Sequence, residues 1–166
     1  MAEHDVQNPA VNGGEDASSH PQVVVNVQYL KDLSFENPRA PESFSAPATG
    51  PQVSFDVDVK ARTIGPDLYE SVLILRAEAQ VQDEIIFVVE VSYGAVVTIR
   101  QATEDMIHGI LLIEVPRLLF PFAREIVANA TRHGGYPPLL VNPIDFVDLA
   151  HRKQHAAAQA ANQAST

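Results

Sequence analysis

Glu84-Ile85-Ile86-Phe87-Val88-Val89-Glu90-Val91, followed through Val97 into Thr103-Glu104-Asp105-Met106-Ile107-His108-Gly109-Ile110-Leu111-Leu112-Ile113, decides the fold, because the hydrophobic period changes within it. Up to Val97 the side chains alternate, with Ile85, Phe87, Val89 and Val91 on one parity and Glu84, Ile86, Val88 and Glu90 on the other. Residues two apart share a strand face, so the pattern predicts a strand from Glu84 to Val97 with one face packed and one wetted. From Thr103 the period is helical. A hydroxyl and two carboxylates suit the positive end of a helix dipole. Met106, Ile110 and Ile113 then form a stripe that Ile107, Leu111 and Leu112 widen almost all round. A helix apolar on every side must be covered on more than one side, and with three helices in prospect a subunit interface is the favoured cover.

Working toward the N-terminus, Gln82-Asp83 gives a tight reversal from a third strand, Tyr69 to Val81. Gly65-Pro66-Asp67 gives a turn from a second, in which Val53, Phe55, Val57 and Val59 alternate with Ser54, Asp56, Asp58 and Lys60. The first strand places Val23, Val25, Val27, Tyr29, Leu33 and Phe35 on one parity, and Asp32, Ser34 and Glu36 on the wet one. Asn37-Pro38-Arg39-Ala40-Pro41 ends it, since proline donates nothing to a ladder, and Glu42 to Pro51 is a crossing loop. Toward the C-terminus, Pro116 is expected to stop the first helix. A second helix starts near Pro121 and ends at Gly134. Asn142-Pro143-Ile144-Asp145 starts a third, packed through Phe146, Val147 and Leu149, whose end frays from about Gln154. The predicted fold is α+β: a four-stranded antiparallel sheet, a meander by its alternation, packed with two to three helices. Residues 1–21 read as a mobile arm, 22–153 as the domain and 154–166 as a flexible tail.

The 166 residues suit one domain, and 46% hydrophobic against 19% charged content excludes a chain disordered throughout. Residues 1–99 carry fifteen acidic and five basic side chains, whereas 100–166 carry six of each, so the net charge of −10 belongs to the strand-rich part. Phosphate-backbone binding needs cations, which disfavours nucleic acid. Absence of cysteine excludes disulfides, thiolate metal sites and cysteine nucleophiles, and fits a reducing cytoplasm. The acidic N-terminus lacks the apolar core of a secretory signal, and no unbroken apolar run reaches the ~20 residues of a membrane helix. No cofactor is expected.

Candidate chemistry is sparse. His151 and His155 have the spacing of a metal pair but no third ligand nearby in sequence. Asp56 and Asp58 share a strand face and could form an acid–base pair or hold a hard cation, although alternating carboxylates more often make a solvated face. His108 is a general base only in a weaker reading and otherwise a hydrogen-bonded core or interface residue. Gly134-Gly135 lacks the spacing and lysine of a phosphate loop. A small acidic hydrolase or isomerase using Asp56, Asp58 or His108 is the alternative to a binding protein.

In order along the chain, Lys31-Asp32-Leu33-Ser34-Phe35-Glu36-Asn37-Pro38, then Leu119-Phe120-Pro121-Phe122-Ala123-Arg124-Glu125, then Tyr136-Pro137-Pro138 and Asn142-Pro143-Ile144-Asp145-Phe146 resemble the SecB family of protein-export chaperones across roughly residues 22 to 150. The resemblance implies an ATP-independent, non-enzymatic cytoplasmic chaperone, a homotetramer built as a dimer of dimers, that binds unfolded preproteins and delivers them to the motor ATPase SecA. It implies motor contacts at Asp32, Glu36, Val88 and Glu90. A client groove involves Val53, Phe55, Val57, Leu119 and Phe122, and oligomer contacts use Met106, Ile107, Ile110, Leu111 and Ile113. It implies no direct membrane insertion.

Overall fold

The computed structural model describes residues 20–45 and 50–164; the arm expected at 1–21 therefore lies almost wholly outside the described residues. Strands β1 (Gln22–Glu36), β2 (Gln52–Gly65), β3 (Leu68–Val81) and β4 (Glu84–Arg100) form one antiparallel sheet in the order β1-β4-β3-β2. The meander holds for β2, β3 and β4. β1 joins on the far side, against β4, so the connection after Glu36, with its 3-10 turn Glu42–Ser45, crosses the sheet from one edge to the other.

Alternation misplaces residues where the strands bulge. β1 carries an extra residue at Asn26 and another at Lys31, as its pairing steps from Val25–Val97 to Val27–Val96 and from Leu30–Tyr93 to Asp32–Ser92. Each extra residue reverses the parity that follows. Val23, Val25, Leu30, Leu33 and Phe35 consequently share the helix side, while Val27 and Tyr29, expected there, lie on the outer side. A further bulge in β4 pairs Ile85 with Gln80 and Phe87 with Ala79, which turns Ile85 outward and leaves Ile86 buried.

The helix predicted to stop at Pro116 does not stop. A continuous helical segment runs from Glu104 to His133: α1 (Glu104–Gly109), a π-helical turn (Ile110–Glu114) and α2 (Val115–His133). Thr103 caps it, its hydroxyl accepting the Met106 N–H. The π turn explains the continuity, since the Val115 N–H reaches the Ile110 carbonyl five residues back and proline follows where the ladder is already widened. Pro121 likewise sits inside α2, and is not its first turn. The uninterrupted helix is long and apolar enough to cross a membrane by length and composition alone, with a third of its most apolar window buried against its own sheet. α2 ends at Gly134, as predicted.

α3 (Phe146–Ala164) begins later than predicted because Asp145, and not Asn142, accepts the N–H groups of Val147 and Asp148. Its helical backbone continues to Ala164, past the expected fraying point. Phe146 is fully buried, edge-on to Phe120. The core lies between the sheet and the long helix, where Leu73, Leu75, Val89, Val91 and Val97 meet Val115, Leu119, Ala123 and Val127. Lys153 of α3 donates to Asp58 and to the Val59 carbonyl on β2, fastening the helix to that edge of the sheet.

Candidate functional site

At the end of the sheet where α2 stops, four aromatic rings from four segments form a row. Phe35 of β1 stacks on Phe87 of β4 at 5.9 Å, Phe87 meets Tyr136 at 4.9 Å, and Tyr136 meets Phe44 at 5.4 Å. Two glycines permit this approach: a Cβ on Gly134 would stand 2.2 Å from Phe35 Cζ, and Gly135, at φ 91°, faces Phe44. Polar groups fix the ring positions. The Tyr136 hydroxyl donates to Asn37 Oδ1 at 2.8 Å, and Asn37 Nδ2 donates to the Gly134 carbonyl at 3.2 Å. Buried Thr131 accepts the Leu139 N–H at 2.9 Å while its own hydroxyl turns back toward the Val127 and Ala128 carbonyls, holding the loop after Tyr136 against α2.

An apolar depression lies on either side of the row. One, of ≈ 400 Å³, is lined by Val53, Val81, Ile86, Tyr136, Pro138 and Leu140 among others. The other, of ≈ 390 Å³, runs between Leu33 and Phe35 of β1 and Ile126, Ala130 and His133 of α2. Beside the first depression Leu140 is 67% exposed and Val53 42%. Of the predicted groove residues, Val53 lines the first depression, with Phe55 and Val57 following it along the same face of β2. Phe122 projects from α2 and stacks on Tyr93 at 5.9 Å. Leu119 is a correction: it is fully buried in the core and offers nothing to a ligand. Ile86, Tyr136 and Leu140 were not foreseen as lining residues. The Tyr-Pro-Pro sequence was the available signal, but its partners are some fifty to a hundred positions away.

The opposite face of the sheet is ionic. Asp32 pairs with Ser92, Ser34 with Glu90 and Glu36 with Val88, so the four predicted motor-contact residues do share the outer face of two adjacent strands. Asp32 and Glu36 are exposed, and Glu90 lies 3.5 Å from Arg76, which also reaches Glu78. Val88, implied as a motor contact, is only 8% exposed on this face. Further along, the buried Glu70 carboxylate accepts from Arg62, from Lys31 at 2.8 Å and from Tyr29. Hydrogen bonds from Arg62, Lys31 and Tyr29 hold Glu70 well below the usual carboxylate range, at about 2. Burial and the neighbouring Glu70 push the Tyr29 phenol up to about 12.

The residues of the enzyme alternative do not converge. Asp56 is exposed opposite Arg76 on the outer face, Asp58 is occupied by Lys153 and by its own neighbour's N–H, and His108 is exposed on the helix covering the other face. His108 is thus not a core residue. Among the described residues no three His, Cys, Asp or Glu side chains gather as a metal site. Of the predicted interface residues, Met106 is 45% exposed and Ile107, Ile110 and Ile113 are half-buried. Leu111 is a correction. It is buried, and its carbonyl accepts the Ser71 hydroxyl at 2.8 Å within the chain's own core.

A sheet covered on one side only, with apolar depressions beside its helix and no assembled catalytic group among the described residues, has the form of a binding protein. A family model described as preprotein translocase subunit SecB matches residues 16–157. A protein-export protein SecB of Rhodospirillum centenum is 51% identical over 142 residues, covering 85% of this chain and 84% of that protein. Its namesake of Afipia carboxidovorans is 44% identical over 148 residues, covering 89% and 91%. The fold matches a Mycobacterium tuberculosis SecB-like chaperone solved in complex with a ChAD peptide from the HigA1 antitoxin, with a TM-score of 0.62 and 17% identity over 74% of this chain and 90% of that one. The chain belongs to the SecB family of protein-export chaperones.

Proposed function

We propose that this chaperone holds unfolded preproteins by burying their apolar segments in the two depressions flanking the aromatic row, without ATP and without covalent chemistry, in the cytoplasm. The observation that carries the reading is that Leu140 and Val53 remain exposed beside a groove that the chain's own side chains do not fill. Burial of client apolar surface contributes roughly 25 cal/mol per Å². Each groove therefore binds modestly, and a long client engaging several grooves gains by avidity. The exposed flank of the long helix, with Met106, Ile107, Ile110 and Ile113, supports assembly as a dimer of dimers, which multiplies the grooves. The acidic outer face at Asp32, Glu36 and Glu90 supports docking of SecA, with Val88 contributing little.

A solubility assay separates these parts. Leu140→Asp combined with Val53→Asp is expected to lose suppression of aggregation of a denatured preprotein while keeping the fold by circular dichroism. Asp32→Lys with Glu36→Lys and Glu90→Lys is expected to keep that suppression and lose SecA affinity in titration calorimetry. Full holding activity in the groove variant would refute the site.

A further inference from the structure

The outer face of the sheet carries charge of both signs in separate places. At one end Asp32, Glu36, Asp56, Glu78 and Glu90 gather around a single arginine, Arg76. Toward the other end Lys31, Lys60 and Arg62 rim a groove of ≈ 240 Å³ that Val72, Ile74 and Ser92 also line. Two of these cations are held in place. Lys31 of β1 and Arg62 of β2 both donate to Glu70 of β3, and so does Tyr29, whose ring crosses β4 over Gly94, where a Cβ would stand 3.0 Å from it. One carboxylate cannot neutralise two cations, and Lys60 forms no ion pair among the described residues, so the groove keeps surplus positive charge. Lys60 lies across two strands from Gly94, about 10 Å, and Gly94 lies four residues along β4 from Glu90, about 13 Å, which sets the two ends about 16 Å apart. At physiological salt a field decays over about 8 Å, so a partner meets each end separately. A long polyanion does not suit the groove, because Asp58 and Asp32 stand next to Lys60 and Lys31 and repel its continuation. A short acidic segment does.

We infer that the partner docking on the acidic corner also carries a short acidic segment, and that this segment enters the groove at Lys31, Lys60 and Arg62. The inference rests on the reading of this face as the SecA docking surface, and adds what that surface of the partner must look like: basic and acidic patches side by side. A corner of one sign accepts any basic protein. A second contact of opposite sign, about 16 Å away, fixes the orientation of the partner and rejects proteins that are basic throughout.

Titration calorimetry of SecA against Lys60→Glu in the full-length protein tests the assignment. Lys60 is exposed and makes no bond to Glu70, so the substitution leaves the ties between strands intact, which circular dichroism verifies. Against a partner surface that is basic throughout, one more negative charge on this face tightens binding. The assignment predicts the opposite sign, a loss of about three- to tenfold, with Lys60→Gln intermediate. Arg132→Glu makes the same charge change at an exposed position on α2 and is expected to leave the affinity within about twofold. Unchanged or tighter binding by Lys60→Glu, while Asp32→Lys with Glu36→Lys and Glu90→Lys still loses SecA, would overturn the acidic segment and leave the docking surface standing. An equal loss in Arg132→Glu would likewise overturn it, and retained affinity in the triple variant would overturn both readings.

Discussion

Glu70 shows at the scale of one residue how the outer face is held together. A carboxylate with three donors and almost no solvent is stable only as the anion, and its folded pKa near 2 lies below its unfolded value. Its stabilising contribution is therefore complete above about pH 4.5 and lost as pH falls through 2. Tyr29 has the opposite sign: its raised pKa makes its contribution complete below pH 10 and lost toward 12. Glu70→Gln is expected to lower unfolding stability by about 2 kcal/mol at neutral pH, a figure already reduced for the exposure of Lys31 and Arg62, and to flatten the acid limb of urea midpoints measured between pH 5 and 2. Gly134 is the second such position. Gly134→Ala must displace the Phe35 ring, an overpacking cost of about 1–3 kcal/mol, and urea unfolding should register it. The glycines were legible in sequence as a helix end, but not as the clearance for an aromatic row. Clearance depends on the Phe35 ring, from the other end of the domain sequence.

At the scale of elements, what the sequence encodes locally was readable and what depends on pairing was not. Periods of two and of 3.6 gave all four strands and the order of sheet and helix. The bulges at Asn26, Lys31 and Ile86 leave no local mark, because each is defined by the residue it lacks across the ladder. Deleting Asn26 should make this concrete. Without it Val23 and Val25 must turn to the outer face or the register must slip, and the expected result is a lower urea midpoint with hydrogen exchange accelerated at the start of β1. Pro116 and Pro121 misled for a related reason. A proline ends an isolated helix, but here a π turn and the packing of Leu119 and Val127 under the sheet carry the helix through.

For the whole molecule, average charge and hydropathy already marked out the acidic strands and the apolar helix. The site itself was half legible. Val53 and Phe122 could be chosen because exposed apolar residues at an edge or helix face stand out, whereas Leu119 and Leu111 carry the same chemistry and differ only in what covers them. If the proposed tetramer forms through this helix flank, Met106→Glu with Ile110→Glu and Ile113→Glu is expected to shift native mass spectra from tetramer to smaller species, while Leu111→Glu should unfold the chain instead. Lys153, finally, has a consequence for a protein surrounded by sticky, extended polypeptide. β2 is a free sheet edge, and an edge is a template on which any foreign strand can crystallise. By seating an ammonium on the Val59 carbonyl, the last helix bolts one rung of that template shut, so that on the proposed function cargo is gripped without being knitted into its carrier.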